Sequence, residues 1–170
     1  APAAIMEDVA SSSEAFAGFA KDGGQNVFKA AIAARKLGLS MSTVESIADS
    51  LLDFESSINS QMEASMLLGR NINTDKAREL ALAGDLEGMQ KEVTKQIGSA
   101  ADFEKLNVVQ RKSMAEAFGL STDEMGRMIA NQENLNNMSQ VEKDTMEMKE
   151  EIIEKLKKAW SNIVAVVTQL

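Results

Sequence analysis

Histidine, cysteine and tyrosine are missing from this 170-residue chain, and proline occurs once, at Pro2. Without cysteine there is no disulfide, no thiol nucleophile and no thiolate metal site. Without histidine there is no imidazole base, no Ser-His triad and no His-ligated zinc or haem. Enzymes lose most of their usual tools here, so the reading is no enzyme, no catalytic residue, no cofactor and no metal. An excess of basic charge is also lacking. Lys plus Arg number 18 against 26 Asp plus Glu, a net charge of −8, and an acidic surface does not grip phosphate, which argues against specific nucleic-acid binding. Long apolar runs are absent too. The last one, Ile163 to Val167, is far short of the ~20 residues that span a bilayer. No charged n-region precedes an apolar stretch, so no signal peptide is read. The start at Ala1 and the apolar, uncapped finish at Leu170 suggest a piece of a longer protein.

The remaining composition points to helices. Aromatics make up 4% and hydrophobic residues 44%, and eleven methionines stand among them. Ala, Leu, Met, Glu and Lys propagate helix well, and no proline interrupts after position 2. The expected fold is all-α, a compact multi-helix domain followed by a long C-terminal coiled-coil helix. Its parts are a linker-like segment over 1–24, in which Phe16 and Phe19 could dock, a helical domain over 25–137, and a coiled-coil helix over 138–170.

Glycine punctuates the domain. A helix from Gln25 to Leu37 stops at Gly38, as a left-handed C-terminal residue does. Ser42 and Glu45 read as a capping box that opens a single long helix, Thr43 to Leu68. Its apolar stripe, Val44, Ile47, Leu51, Phe54, Ile58, Met62 and Met66, keeps one helical face toward a core. Gly69, Gly84, Gly98 and Gly119 end further helices. Asp85, Ser99, Asn107 and Ser121 start others, Ser121 as a second capping box with Glu124. Lys36-Leu-Gly-Leu-Ser40 and Ala117-Phe-Gly-Leu-Ser121 echo each other as helix–corner–helix joints, the first with two extra residues, Met41 and Ser42. Asn131 to Gln140 is polar and reads as a weak helix or hinge.

Beyond it, Val141, Thr145, Met148, Ile152, Leu156, Ala159, Ile163, Val166 and Leu170 recur at steps of three and four. Charged residues flank that narrow seam, the pattern of a coiled coil. Acids come early and bases late, in keeping with the helix dipole. The seam is the expected oligomer interface, with a trimer or hexamer favoured.

Candidates for chemistry are few, and each has a plain structural explanation. Asp53 and Glu55 lie two apart on a helix and point to different faces. Asp75, Glu79, Asp85 and Glu87 lack the spacing of a calcium loop. Ser65, Ser99 and Ser113 have no base partner. Glu63 joins Asp53 and Glu55 as the least unsuitable acids for a cell-wall hydrolase. Arg35 with Lys36, and Arg111 with Lys112, are placed near helix C-termini as dipole compensation. The methionines Met62, Met66, Met89, Met114, Met125, Met128, Met138, Met146 and Met148 read as flexible core filling or as an adaptable interface. Trp160, beside the seam, is either oligomer core or a partner anchor.

The run Leu51-Leu-Asp-Phe-Glu-Ser-Ser-Ile58, with Leu67-Leu-Gly-Arg70, Lys76-Ala-Arg-Glu-Leu80, Ala83-Gly-Asp-Leu86, Asp102-Phe-Glu-Lys-Leu-Asn107, Gln110-Arg-Lys112 and Ala117-Phe-Gly-Leu-Ser-Thr-Asp-Glu124, resembles tail tape measure proteins of tailed bacteriophages. The resemblance covers roughly Ala34 to Met128 and carries no residue with an assigned chemical role. It implies a structural virion protein in the tail lumen. Such a protein sets tube length, meets tail tube and baseplate hub proteins, and is ejected before DNA. The alternative is a helical adaptor or scaffold with a Met-rich groove.

Overall fold

The computed structural model of the chain describes residues 18–20, 24–136 and 140–168. Nine α-helices and no strand occur among the described residues. They are α1 (Gln25–Lys36), α2 (Met41–Leu52), α3 (Phe54–Leu68), α4 (Asp75–Leu82), α5 (Leu86–Ile97), α6 (Ala100–Glu104), α7 (Val108–Ala117), α8 (Thr122–Asn136) and α9 (Gln140–Thr168). The all-α expectation therefore holds. Most of the expected segment 1–24 lies outside the described residues; within it, Phe19 packs against the core and its carbonyl accepts from Asn26 Nδ2 at 2.5 Å.

The core forms where apolar residues repeat at helical spacing. In α2, Met41, Val44, Ile47, Ala48 and Leu51 are fully buried. Each of the larger ones contributes on the order of 2 kcal/mol by leaving water. Facing them are Val27, Phe28, Ala31 and Ala34 of α1, Leu86, Met89, Val93 and Ile97 of α5, and Met125, Met128 and Ile129 of α8. Helix α1 packs on α5, α5 also on α4, and α3 on α7.

The single helix expected over Thr43–Leu68 is two. The chain leaves helical geometry at Asp53 (φ −82°, ψ 82°). Neither glycine nor proline marks the place. Arg78, arriving from α4, holds both sides of the break: Nε donates to the Leu51 carbonyl at 3.0 Å and Nη2 to Ser57 Oγ at 2.7 Å. Asp75 Oδ1 and Thr74 Oγ1 accept from the remaining guanidinium nitrogens, each at 3.0 Å. The break turns α3, whose buried side chains are the small Ser57 and Ala64. The expected core stripe is therefore correct through Leu51 and reversed beyond it. Phe54, Ile58, Met62 and Met66 face outward.

The capping box at Ser42 and Glu45 is also corrected. Ser40 caps α2, its Oγ accepting from the Thr43 amide at 3.2 Å. The first corner then has no extra residues, and its likeness to the second becomes complete. Gly38 (φ 72°) and Gly119 (φ 68°) are both left-handed. Leu39 N–H reaches back to the Ala34 carbonyl at 2.8 Å and Leu120 N–H to the Ala115 carbonyl at 2.9 Å. Positions 81 apart correspond throughout. Ala34 matches Ala115, Leu37 matches Phe118, Leu39 matches Leu120, Val44 matches Met125, Ile47 matches Met128 and Ala48 matches Ile129, all buried.

The two corners also touch reciprocally. A Cβ on Gly38 would meet Asn131 and Arg127 of α8, and one on Gly119 would meet Ser50 and Ser46 of α2. Ser46 and Ser50 stand as far from Ser40 as Arg127 and Asn131 stand from Ser121. Between them Thr43 Oγ1 donates to Glu124 Oε2 at 2.6 Å, joining equivalent positions 81 residues apart. The hairpins α1–α2 and α7–α8 are thus related by a local pseudo-two-fold.

Candidate functional site

The acids proposed as least unsuitable for catalysis do not converge. Asp53, Glu55 and Glu63 are all exposed. The calcium-loop candidates are dispersed into structural roles. Asp75 pairs with Arg78, Glu87 pairs with Lys91 at 3.2 Å, and Asp85 caps α5 by accepting from the Gly88 amide at 2.9 Å. Among the described residues no group of three or more such ligands is gathered. Ser65 Oγ donates to the Gln61 carbonyl at 2.9 Å and accepts from the Ile72 amide at 3.0 Å. Ser99 caps α6 in a capping box with Asp102, and Ser113 is buried in α7.

The basic pairs divide. Arg35 and Lys36 lie in the last turn of α1, as expected, and Lys36 pairs with Glu150 of α9. Arg111 and Lys112 instead lie near the start of α7. Arg111 serves the end of the preceding short helix: it donates to the carbonyls of Phe103 and Glu104, both at 3.3 Å, with its guanidinium 4.5 Å from the Phe103 ring centroid.

Two carboxylates are held below their ordinary range. Burial alone would push Glu124 up. The Thr43 hydroxyl and the Ser121 backbone and hydroxyl outweigh it and hold the acid low. The Ser99 hydroxyl and backbone hold Asp102 low. Both acids belong to helix caps, not to a reaction centre.

A cleft of about 850 Å³ opens between α1, α5, α8 and α9. Lys29, Lys36, Lys91 and Lys155 alternate there with Glu87, Glu150, Glu151 and Glu154, around Ile32, Ala33 and Leu37. No methionine lines it. Of the methionines, Met89, Met114, Met125 and Met128 are core, whereas Met62 and Met66 are exposed, at 61% and 83%. Met138 lies outside the described residues, as do the side chains of Met146 and Met148. The exposed pair belongs to a helix face, not to a groove.

That face is the largest apolar feature on the surface. Phe54, Ile58, Met62 and Met66 follow one another at every fourth position of α3, with Leu67 beside them. Helix α3 is pinned by its other side to α7, where Gln110 Nε2 donates to the Leu67 carbonyl at 3.0 Å. The ridge is bordered by the exposed Asp53, Glu55 and Glu63, and α3 contains no basic residue. Sequence periodicity finds these residues but assigns them to the core, because it assumes one uninterrupted helix.

Helix α9 is the second surface of interest. It lies on α1 through Ile153, Lys157 and Trp160. Trp160 thus packs on its own chain's body. The Lys157 side chain is almost fully buried, with its ammonium 3.0 Å from Glu154 Oε1. The expected seam runs along a different side. Ile152 is 57% exposed and Ala159 is exposed as well. The seam side chains of Val141, Thr145, Met148, Leu156, Ile163 and Val166, and all of Leu170, lie outside the described residues. No described helix is long and apolar enough to cross a membrane. Comparison of the chain with protein-family models, with curated proteins and with solved structures finds no match.

Proposed function

We propose that the chain is a structural protein that assembles with copies of itself through the outward side of α9. In this reading it is part of a tail tape measure of a tailed bacteriophage, inside the virion, in contact with tail tube and baseplate hub proteins. The observation that supports it is the way α9 is mounted. One side is committed to the body by Ile153, Lys157 and Trp160, while Ile152 and Ala159 of the apolar seam point to solvent. Exposed apolar residues at regular helical spacing want a partner helix. A helix of 29 residues measures about 44 Å at 1.5 Å per residue, and a stiff length of that kind suits a spacer. The acidic surface would not hold DNA passing the same channel. Sedimentation of the whole chain tests the reading. Association that is lost in Ile152→Asp, with the helical circular-dichroism spectrum retained, supports it. A wild type that stays monomeric at every concentration reached would overturn it.

The exposed Met62 and Met66 favour one second reading, a helical adaptor that captures a foreign helix on α3. Co-purification from the source separates the two: virion tube and hub proteins accompany the chain only in the first.

A further inference from the structure

We infer that the seam of α9 is covered by the α3 ridge of a neighbouring copy, and not by another α9. The inference rests on the self-assembly proposed above and names its two surfaces. Both are solvent-facing apolar strips in the same chain, and they sit on different parts of the body, since α9 packs on α1 and α3 on α7 and α2. Their charges are opposite. The α3 ridge, centred on Ile58 and Met62, is edged by the exposed acids Glu55 and Glu63 and has no base on its helix. From Lys155 onward α9 carries three lysines and no acid, and Lys155 and Lys158 are exposed beside Ala159. Two α3 ridges face to face would bring acid against acid, and two α9 C-terminal halves in parallel would bring lysine against lysine. Ridge against seam pairs opposite signs along the edges and apolar residues along the middle. Such complementarity selects the partner and its register more than it adds raw affinity.

The contact is heterologous, because each copy offers one surface and receives on another. Repetition therefore closes a ring or extends a filament. Every side chain to be changed is exposed, so the core is untouched by the substitutions. Met62→Asp removes the ridge and Ile152→Asp removes the seam. Each variant alone is expected to be monomeric with an unchanged helical spectrum. Mixed, they are expected to form a one-to-one heterodimer, since one keeps an intact seam and the other an intact ridge. Glu55→Lys with Glu63→Lys is expected to weaken assembly at least tenfold, and adding Lys155→Glu with Lys158→Glu in the same chain to restore it.

Assembly that survives Met62→Asp but not Ile152→Asp overturns the inference and leaves an α9–α9 coil, so the proposed function stands. A mixture that stays monomeric overturns it in the same way. A monomeric wild type means that a different occupant takes the ridge, and it overturns both readings.

Discussion

Arg78 carries more structural duty than any other charged side chain in the described chain, since one guanidinium ties α4 to the end of α2 and the start of α3. Its positive charge is spread over one carboxylate, two hydroxyls and a carbonyl, and Phe54 lies 5.9 Å away across the ring face. Arg78→Met keeps much of the volume but leaves those acceptors without their donor. The expected cost is about 3 kcal/mol, read as a lower urea midpoint with an unchanged slope. Glu124 gives a prediction in pH. Its carboxyl is held below the ordinary 4.5 in the folded chain, so the unfolded state takes up its proton first as pH falls. The stabilisation is complete above the unfolded value and is lost as pH drops through the folded one. Glu124→Gln should flatten that acid limb of the stability profile while leaving the neutral region less affected. The two residues were unequally legible. Glu124 stands three after Ser121, a pattern that announces a cap. Arg78 is one of several cations in a short amphipathic stretch, and only the arrival of α2 and α3 from elsewhere decides that this one is buried.

At the level of elements, glycine stops and polar caps are local chemistry, and they are read well from the chain. Gly38, Gly69, Gly84, Gly98 and Gly119 all take positive φ where helices were expected to end. The break at Asp53 is different. Leu52-Asp-Phe54 is compatible with continuous helix, and the interruption is imposed by tertiary contacts through Arg78, so periodicity ran straight across it and turned an exposed ridge into an imagined core stripe. Two glycines separate backbone from packing. Gly69 and Gly119 have nearly the same φ, 67° and 68°. A Cβ on Gly69 meets nothing within 4 Å, whereas one on Gly119 would fall 2.4 Å from Ser50 Cβ. Gly69→Ala should cost about 1 kcal/mol for the left-handed backbone alone. Gly119→Ala should cost about 3 kcal/mol, the excess being overpacking, and Ser50→Gly should recover part of it. Thermal or urea unfolding of the four chains checks the cycle.

For the whole molecule, the division into body and terminal helix is the useful one. The core residues run from Val27 to Ile129, and α9 adds only partly buried Ile153 and Trp160 to them. An element held by so little apolar area opens before the rest. Trp160 is the sole tryptophan. Its emission should shift to the red at lower denaturant than the loss of helical circular dichroism; coincident transitions would contradict the picture. A chain ending at Asn136 should still unfold cooperatively, with a midpoint within a few degrees of the full chain. The surfaces bearing on assembly were visible in the sequence as apolar spacing, but which of them faces water depended on a break and a docking geometry that spacing does not encode. The interlocked corners at Gly38 and Gly119 carry a consequence of their own. Each is seated against the helix that follows the other, so the body holds within one polypeptide the kind of symmetric contact that normally joins two. A tandem fusion of a self-pairing hairpin leaves this trace, with the residues between α2 and α7 as the bridge that made the pairing permanent.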